Sequence, residues 1–298
     1  MCRLFGLHGG AERVRACFWM LEAPQSLVVQ SREQPDGFGI GAFTADGAPH
    51  VERGVLAAWQ DESFAAQARR QCSRTYVVHL RYASSGAVAL RNSHPFLQNR
   101  RLFAHNGVFE GLPALEAHLS EDRALVHGDT DSERMFALIT RETRRAGGDL
   151  HAGITAAVEW IARELPVFSL NFVLATADEL WALRYPEPNE LWVLERRTGG
   201  AQRVRHLDET SEAGTLRVRS GDLAARDSVV VASEAMDEHP GWRLLEPGEL
   251  LHVTPDLRCT STMIAERPAN QLTTADLSAR AAASQQAERH AGAGAASG

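Results

Sequence analysis

Two consecutive stretches of helical periodicity, 131–145 and 150–164, divide a chain that otherwise reads mainly as strands. The first carries Met135, Phe136, Leu138 and Ile139 on an apolar side, with Asp131 or Ser132 near its cap. The second places Ile154, Ala157, Val158 and Ile161 at helical spacing, and Pro166 ends it. A shorter helix is expected at 111–119. Apolar or β-branched runs precede this block at 2–8, 36–43, 75–83 and 101–107. Others follow it at 168–176, 179–185, 190–196, 228–233 and 248–254. Strands, then helices, then strands bury both kinds of apolar face as two sheets with helices outside, a layered α+β domain. Residues 12–22 also have helical spacing, stopped by Pro24. The strand DGFGIGAF (36–43) is rich in glycine, which marks close approach of a backbone or a ligand.

A chain of 298 residues can bury a real core, roughly 75% of its extended surface. A net charge of -7 without any basic stripe argues against a nucleic-acid partner. All 31 cationic side chains are Arg. The absence of Lys excludes a Schiff base, a pyridoxal attachment and a phosphate-loop lysine, and no cofactor is expected. Cys2, Cys17, Cys72 and Cys259 show no paired spacing, which suits reduced thiols in the cytoplasm. The apolar stretch 14–30 is broken by Glu22 and Pro24, so it reads as neither a signal peptide nor a membrane helix. A metal hydrolase on His79, His94, His105 and Asp131 finds no ligand spacing to support it, and no metal is expected. The stretch from about 276 is Ala, Ser, Gln and Gly, expected to be disordered and without chemistry.

The chemistry begins at Cys2. Removal of Met1 would put an α-amine of pKa about 7.7–8.0 and a thiol of about 8.5 on one residue, so the amine can take the thiol proton. Alone, Cys2 reads first as a small buried hydrophobe on a first strand. HLRYASSG (79–86) puts Arg81 at a strand end, where its fork suits an α-carboxylate or a surface ion pair. In NSHPF (92–96), His94 is a ligand contact or a structural imidazole. AHNG (104–107) offers the Asn106 amide and an open Gly107 N–H to an oxyanion, although Asn-Gly also signals a tight hairpin. In GDTDSE (128–133), Asp131 suits a substrate ammonium or a helix cap. Together these make nucleophile, base, carboxylate clamp, oxyanion donors and ammonium partner, the parts of an acyl-transfer site.

At MCRLFG, PDGFGIG (35–41), HLRYASSG, NSHPF, FAHNGVFEG (103–111) and TDSE (130–133), the sequence resembles the class II glutamine amidotransferases. It is most similar to their stand-alone branch, the YafJ-like and ergothioneine-pathway γ-glutamyl hydrolase type. VVVASE (229–234) and GWRLLEPGELLHV (241–253) extend the likeness to about residues 2–256, one glutaminase domain, with 257–298 as a C-terminal extension. The resemblance implies a four-layer αββα sandwich of the N-terminal-nucleophile hydrolase type. It implies Cys2 as nucleophile and base, Asn106 and Gly107 as oxyanion hole, Arg81 on the α-carboxylate with Ser84 nearby, Asp131 on the α-ammonium and His94 in the pocket. The expected substrate is glutamine or a γ-glutamyl small molecule. Relatives that use the ammonia carry a synthase domain after this one, and none is legible here. A separate synthase subunit, plain hydrolysis and a non-catalytic glutamine-binding subunit all stay open, as does assembly into a homodimer.

Overall fold

A computed structural model describes residues 2–83, 86–197, 208–210, 217–219 and 226–285. The first part supplies β1 (Arg3–His8), α1 (Leu27–Gln30), β2 (Phe38–Phe43), β3 (Pro49–Gly54), α2 (Glu62–Arg70) and β4 (Thr75–Leu80). Then come β5 (Phe96–Gln98), β6 (Arg101–Phe109), α3 (Leu112–Leu119), α4 (Asp131–Arg145) and α5 (Leu150–Glu164). The chain returns through β7 (Pro166–Ala175), β8 (Leu180–Leu183), β9 (Trp192–Arg196), β10 (Asp208–Thr210), β11 (Arg217–Arg219) and β12 (Ser228–Ala232). It closes with β13 (Arg243–Leu244), β14 (Glu249–Val253), β15 (Cys259–Met263), β16 (Asn270–Gln271) and α6 (Ala279–Gln285).

One sheet has the order β13-β9-β12-β1-β4-β2-β3, the other β15-β14-β8-β7-β6-β5, with β16 on β7 in parallel. Leu4, Val77, Leu102, Ala104, Val173 and Val231 fill the space between the sheets. Phe18, Trp19 and Phe64 cover the outer face of the first sheet, and α3, α4 and α5 pack on the second around Phe103, Phe136 and Phe172. Helix, sheet, sheet, helix is the four-layer sandwich expected. β1, β2 and β4 are buried along their whole length, which is why apolar residues dominate them, with Arg3, His8, Thr75 and His79 as buried polar exceptions.

The long helices fall where their periodicity predicts. Thr130, rather than Asp131 or Ser132, is the cap of α4: its side chain accepts the Glu133 N–H at 3.2 Å. Residues 12–22 do not form the expected α-helix. Val14 bridges Ser73 and its carbonyl accepts the Tyr76 hydroxyl at 2.7 Å, leaving a short π-helical turn at Phe18–Glu22. Phe18, Trp19 and Met20 are all fully buried, so tertiary packing overrode a one-sided pattern. Asn106 and Gly107 lie inside β6, paired with Asn171 and Leu170, not in a hairpin turn.

The C-terminal end also departs from expectation. β15 pairs with β14 and β16 with β7, so the sheet continues past residue 256. Residues 279–285, expected to be disordered, form α6, and Leu277 and Ala281 pack on Val108 and Phe168. A few apolar groups at helical spacing suffice once a sheet face is there to receive them. Residues 286–298 lie outside the described residues.

Candidate active site

β1 runs in the middle of its sheet between β12 and β4, so residue 2 is delivered to the end of a fully supported strand. The register Arg3–Leu80 sets Cys2 opposite Arg81. The Cys2 thiol donates to the Tyr82 carbonyl at 3.2 Å and accepts the Tyr82 N–H at the same distance. Burial pushes the thiol up from its ordinary value, against the pull of the Tyr82 backbone and of Arg81 and Arg3. The strand end is tied down by residues far along the chain. Leu4 N–H donates to Ser233 Oγ at 2.9 Å, Ser233 N–H returns to the Leu4 carbonyl, and Arg3 pairs with Glu234 at 3.2 Å.

Arg81 is buried, and burial lowers its pKa while Cys2 and Asp36 hold it up. Its backbone exchanges bonds with Gly37 and Asp36, and Asp36 Oδ2 accepts the Ala83 N–H at 2.8 Å. Asp36, at the start of the glycine-rich motif, thus shapes the turn after β4. Ser84 lies outside the described residues.

Asn106 reaches across from the second sheet, its Nδ2 donating to the Cys2 carbonyl at 3.0 Å. Gly107 follows, and a Cβ there would stand 1.9 Å from the Ser169 carbonyl oxygen, so only glycine fits. The structure therefore brings together Cys2, Arg81, Asn106 and Gly107 at one end of the two sheets. Asp131 opens α4 and ties it to β6: its Oδ1 accepts the Ser132 N–H at 2.9 Å and its Oδ2 the Phe109 N–H at 3.4 Å.

His94 precedes a cis peptide bond to Pro95 and stacks on His79, ring centres 4.2 Å apart. Among the described residues neither nitrogen of the His94 ring has a hydrogen-bond partner. Burial drives both imidazoles toward the neutral form, His79 down to about 3 and His94 well below its usual value. The glycines of β2 make room for this loop: a Cβ on Gly39 would lie 1.9 Å from the His94 carbonyl oxygen and one on Gly41 2.7 Å from Pro95. The close approach marked by DGFGIG is that of a backbone.

No sequence signal marked the polar residues behind Asn106. Ser169, Asn171 and Asn189 are fully buried between or beside the sheets and hydrogen-bond one another's backbone or side chains. Their neighbours are distant in sequence, so spacing carries no trace of them. Among the described residues no helix is long and apolar enough to cross a membrane, and no group of three or more His, Cys, Asp or Glu is placed to hold a metal.

Comparison with known proteins agrees with this geometry. The family model for class II glutamine amidotransferases matches residues 1–277. The Escherichia coli K12 protein YafJ is 29% identical over 60% of this chain and 69% of its own. The chloroplastic amidophosphoribosyltransferase 2 of Arabidopsis thaliana is 27% identical over 80% of this chain, which spans only 41% of that relative. A class-II domain protein from Silicibacter pomeroyi superposes with a TM-score of 0.57 at 22% identity, covering 89% of this chain and all of its own. The fold, the strand-end cysteine and the matched family model agree, and the chain belongs to the class II glutamine amidotransferases.

Proposed function

We propose that this protein hydrolyses the γ-amide of glutamine or of a γ-glutamyl compound through a thioester on Cys2. With Met1 removed, the α-amine takes the thiol proton and sulfur adds to the γ-carbonyl. The oxyanion faces Asn106 Nδ2 and the Gly107 N–H. The C–N bond then breaks as the ammonium returns its proton to the leaving nitrogen, and water cleaves the thioester to free glutamate. Arg81 holds the α-carboxylate and Asp131 the α-ammonium, with His94 lining the pocket. The observation that carries this reading is the meeting of two sheets at Cys2: its sulfur on Tyr82, its carbonyl on Asn106 and Arg81 opposite.

The reaction needs no cofactor, and the cytoplasm with its reduced thiols suits a free Cys2. Ammonia passes to a separate synthase subunit or leaves to solvent, and a glutamate-release screen of glutamine, glutathione and other γ-glutamyl amides separates plain glutaminase from specialised hydrolase. Cys2→Ala is expected to abolish glutamate release and labelling by a glutamine-analogue electrophile; labelling that survives overturns the mechanism. A second reading, a glutamine-binding subunit without turnover, draws on the buried thiol with its raised pKa. Intact mass distinguishes them, since a retained Met1 blocks the amine.

A further inference from the structure

The peptide joining Asn106 to Gly107 is one rigid plane, with the Asn106 carbonyl and the Gly107 N–H on opposite sides. Whatever fixes the carbonyl therefore aims the N–H. Ser169 Oγ donates to the Asn106 carbonyl at 3.4 Å, and Asn189 Nδ2 approaches the same oxygen at 3.5 Å. That Nδ2 also donates to Gln285 Oε1 at 3.0 Å. Asn171 braces the arrangement, its Nδ2 on the Asn189 carbonyl at 3.1 Å and its Oδ1 accepting the Tyr185 N–H at 2.8 Å. Asn189 is 1% exposed and Gln285 9%. Polar side chains buried among apolar layers weaken a core unless satisfied, and when satisfied they fix a single geometry.

Gln285 is the last residue of α6. The segment leading to it is docked along its length: the Leu272 N–H donates to the Val167 carbonyl at 2.8 Å, Leu277 and Ala281 cover Val108 and Phe168, and Ser284 is fully buried. Val108 is two residues beyond Asn106 on the same strand.

We propose that Asn189 and Gln285 are positioning residues for the Gly107 N–H, so that the segment 270–285 is a working part of the active site. The kinetic side of this inference rests on the amidohydrolase reading above; the structural side does not. Gln285→Met removes the acceptor at similar volume, whereas Gln285→Glu keeps an oxygen there. Q285M is expected to lower kcat for glutamate release about tenfold with KM within about twofold, because small misplacement of a catalytic dipole costs turnover rather than binding. Q285E should stay within about threefold of the parent, since its oxygen still accepts from Asn189. Alkylation of Cys2 by iodoacetamide builds no oxyanion and should keep the parental rate in both. In 15N-glycine-labelled protein the Gly107 amide should shift and exchange faster in Q285M only. A folded Q285M with an unmoved Gly107 amide overturns the proposal whether or not the protein hydrolyses glutamine. So does a kcat loss matched by an equal loss of alkylation. A parent that releases no glutamate sinks the functional reading instead, and the Gly107 amide then decides the positioning role alone.

Discussion

Truncation of Asn106 to alanine separates folding from chemistry at this site. Its Nδ2 is bonded to the Cys2 carbonyl at 3.0 Å, while its Oδ1 has no hydrogen-bond partner among the described residues. Asn106→Ala therefore orphans one buried acceptor, a stability cost of about 1–3 kcal/mol. The Gly107 N–H survives, so the oxyanion keeps one of two donors. Loss of one such donor costs about 10²–10³ in kcat, or about 2.7–4 kcal/mol of transition-state stabilisation. Substrate binding, assigned to Arg81 and Asp131, should barely change. The assay is steady-state glutamate release, with thermal unfolding to confirm the fold and iodoacetamide alkylation to confirm a reactive Cys2. A folded Asn106→Ala protein with kcat within about threefold of the parent would refute the oxyanion role, since even the weaker end of the expected range is far larger.

Arg81→Lys should raise KM about tenfold with a smaller change in kcat, because an ammonium cannot fork onto a carboxylate; a fall in kcat at constant KM would contradict the clamp. Gly39→Ala forces a methyl against the His94 carbonyl and should destabilise by about 1–3 kcal/mol in urea unfolding. An unchanged midpoint would mean that the loop yields freely. Buried His79 has its folded pKa depressed to about 3, below the unfolded value of about 6.5. The unfolded chain thus binds the extra proton first, and stability is lost as pH falls from about 6.5 toward 3, by about 1.4 kcal/mol per unit for one such histidine. Unfolding free energies at pH 7 and 5 check this, and His79→Gln should flatten the slope.

Much of this architecture was legible because its signals are local or periodic. The helices α4 and α5 announce themselves by apolar spacing, and the strand-helix-strand order is satisfied by two covered sheets. The candidate residues stood out for a related reason: Cys2, Arg81, Asn106, Gly107 and Asp131 each stand at the end of an element or inside a marked strand. Residues 12–22 misled because their apolar groups serve burial on several sides at once. Of the two readings open to Asn-Gly, the turn gave way because a paired strand holds the dipeptide extended.

By itself the sequence determined the two long helices, most of the strands and which residue types are available for acyl transfer, but not the course of residues 12–22 or 279–285. Tertiary structure alone decided that β1 runs at the centre of its sheet, that Asn106 crosses to the Cys2 carbonyl and that Asn189 and Gln285 stand behind it. The reason is physical: periodicity records which side of an element is dry, but not which distant element will supply the opposing dipole. That choice is made only when the sheets close on each other and every buried polar group must find a partner.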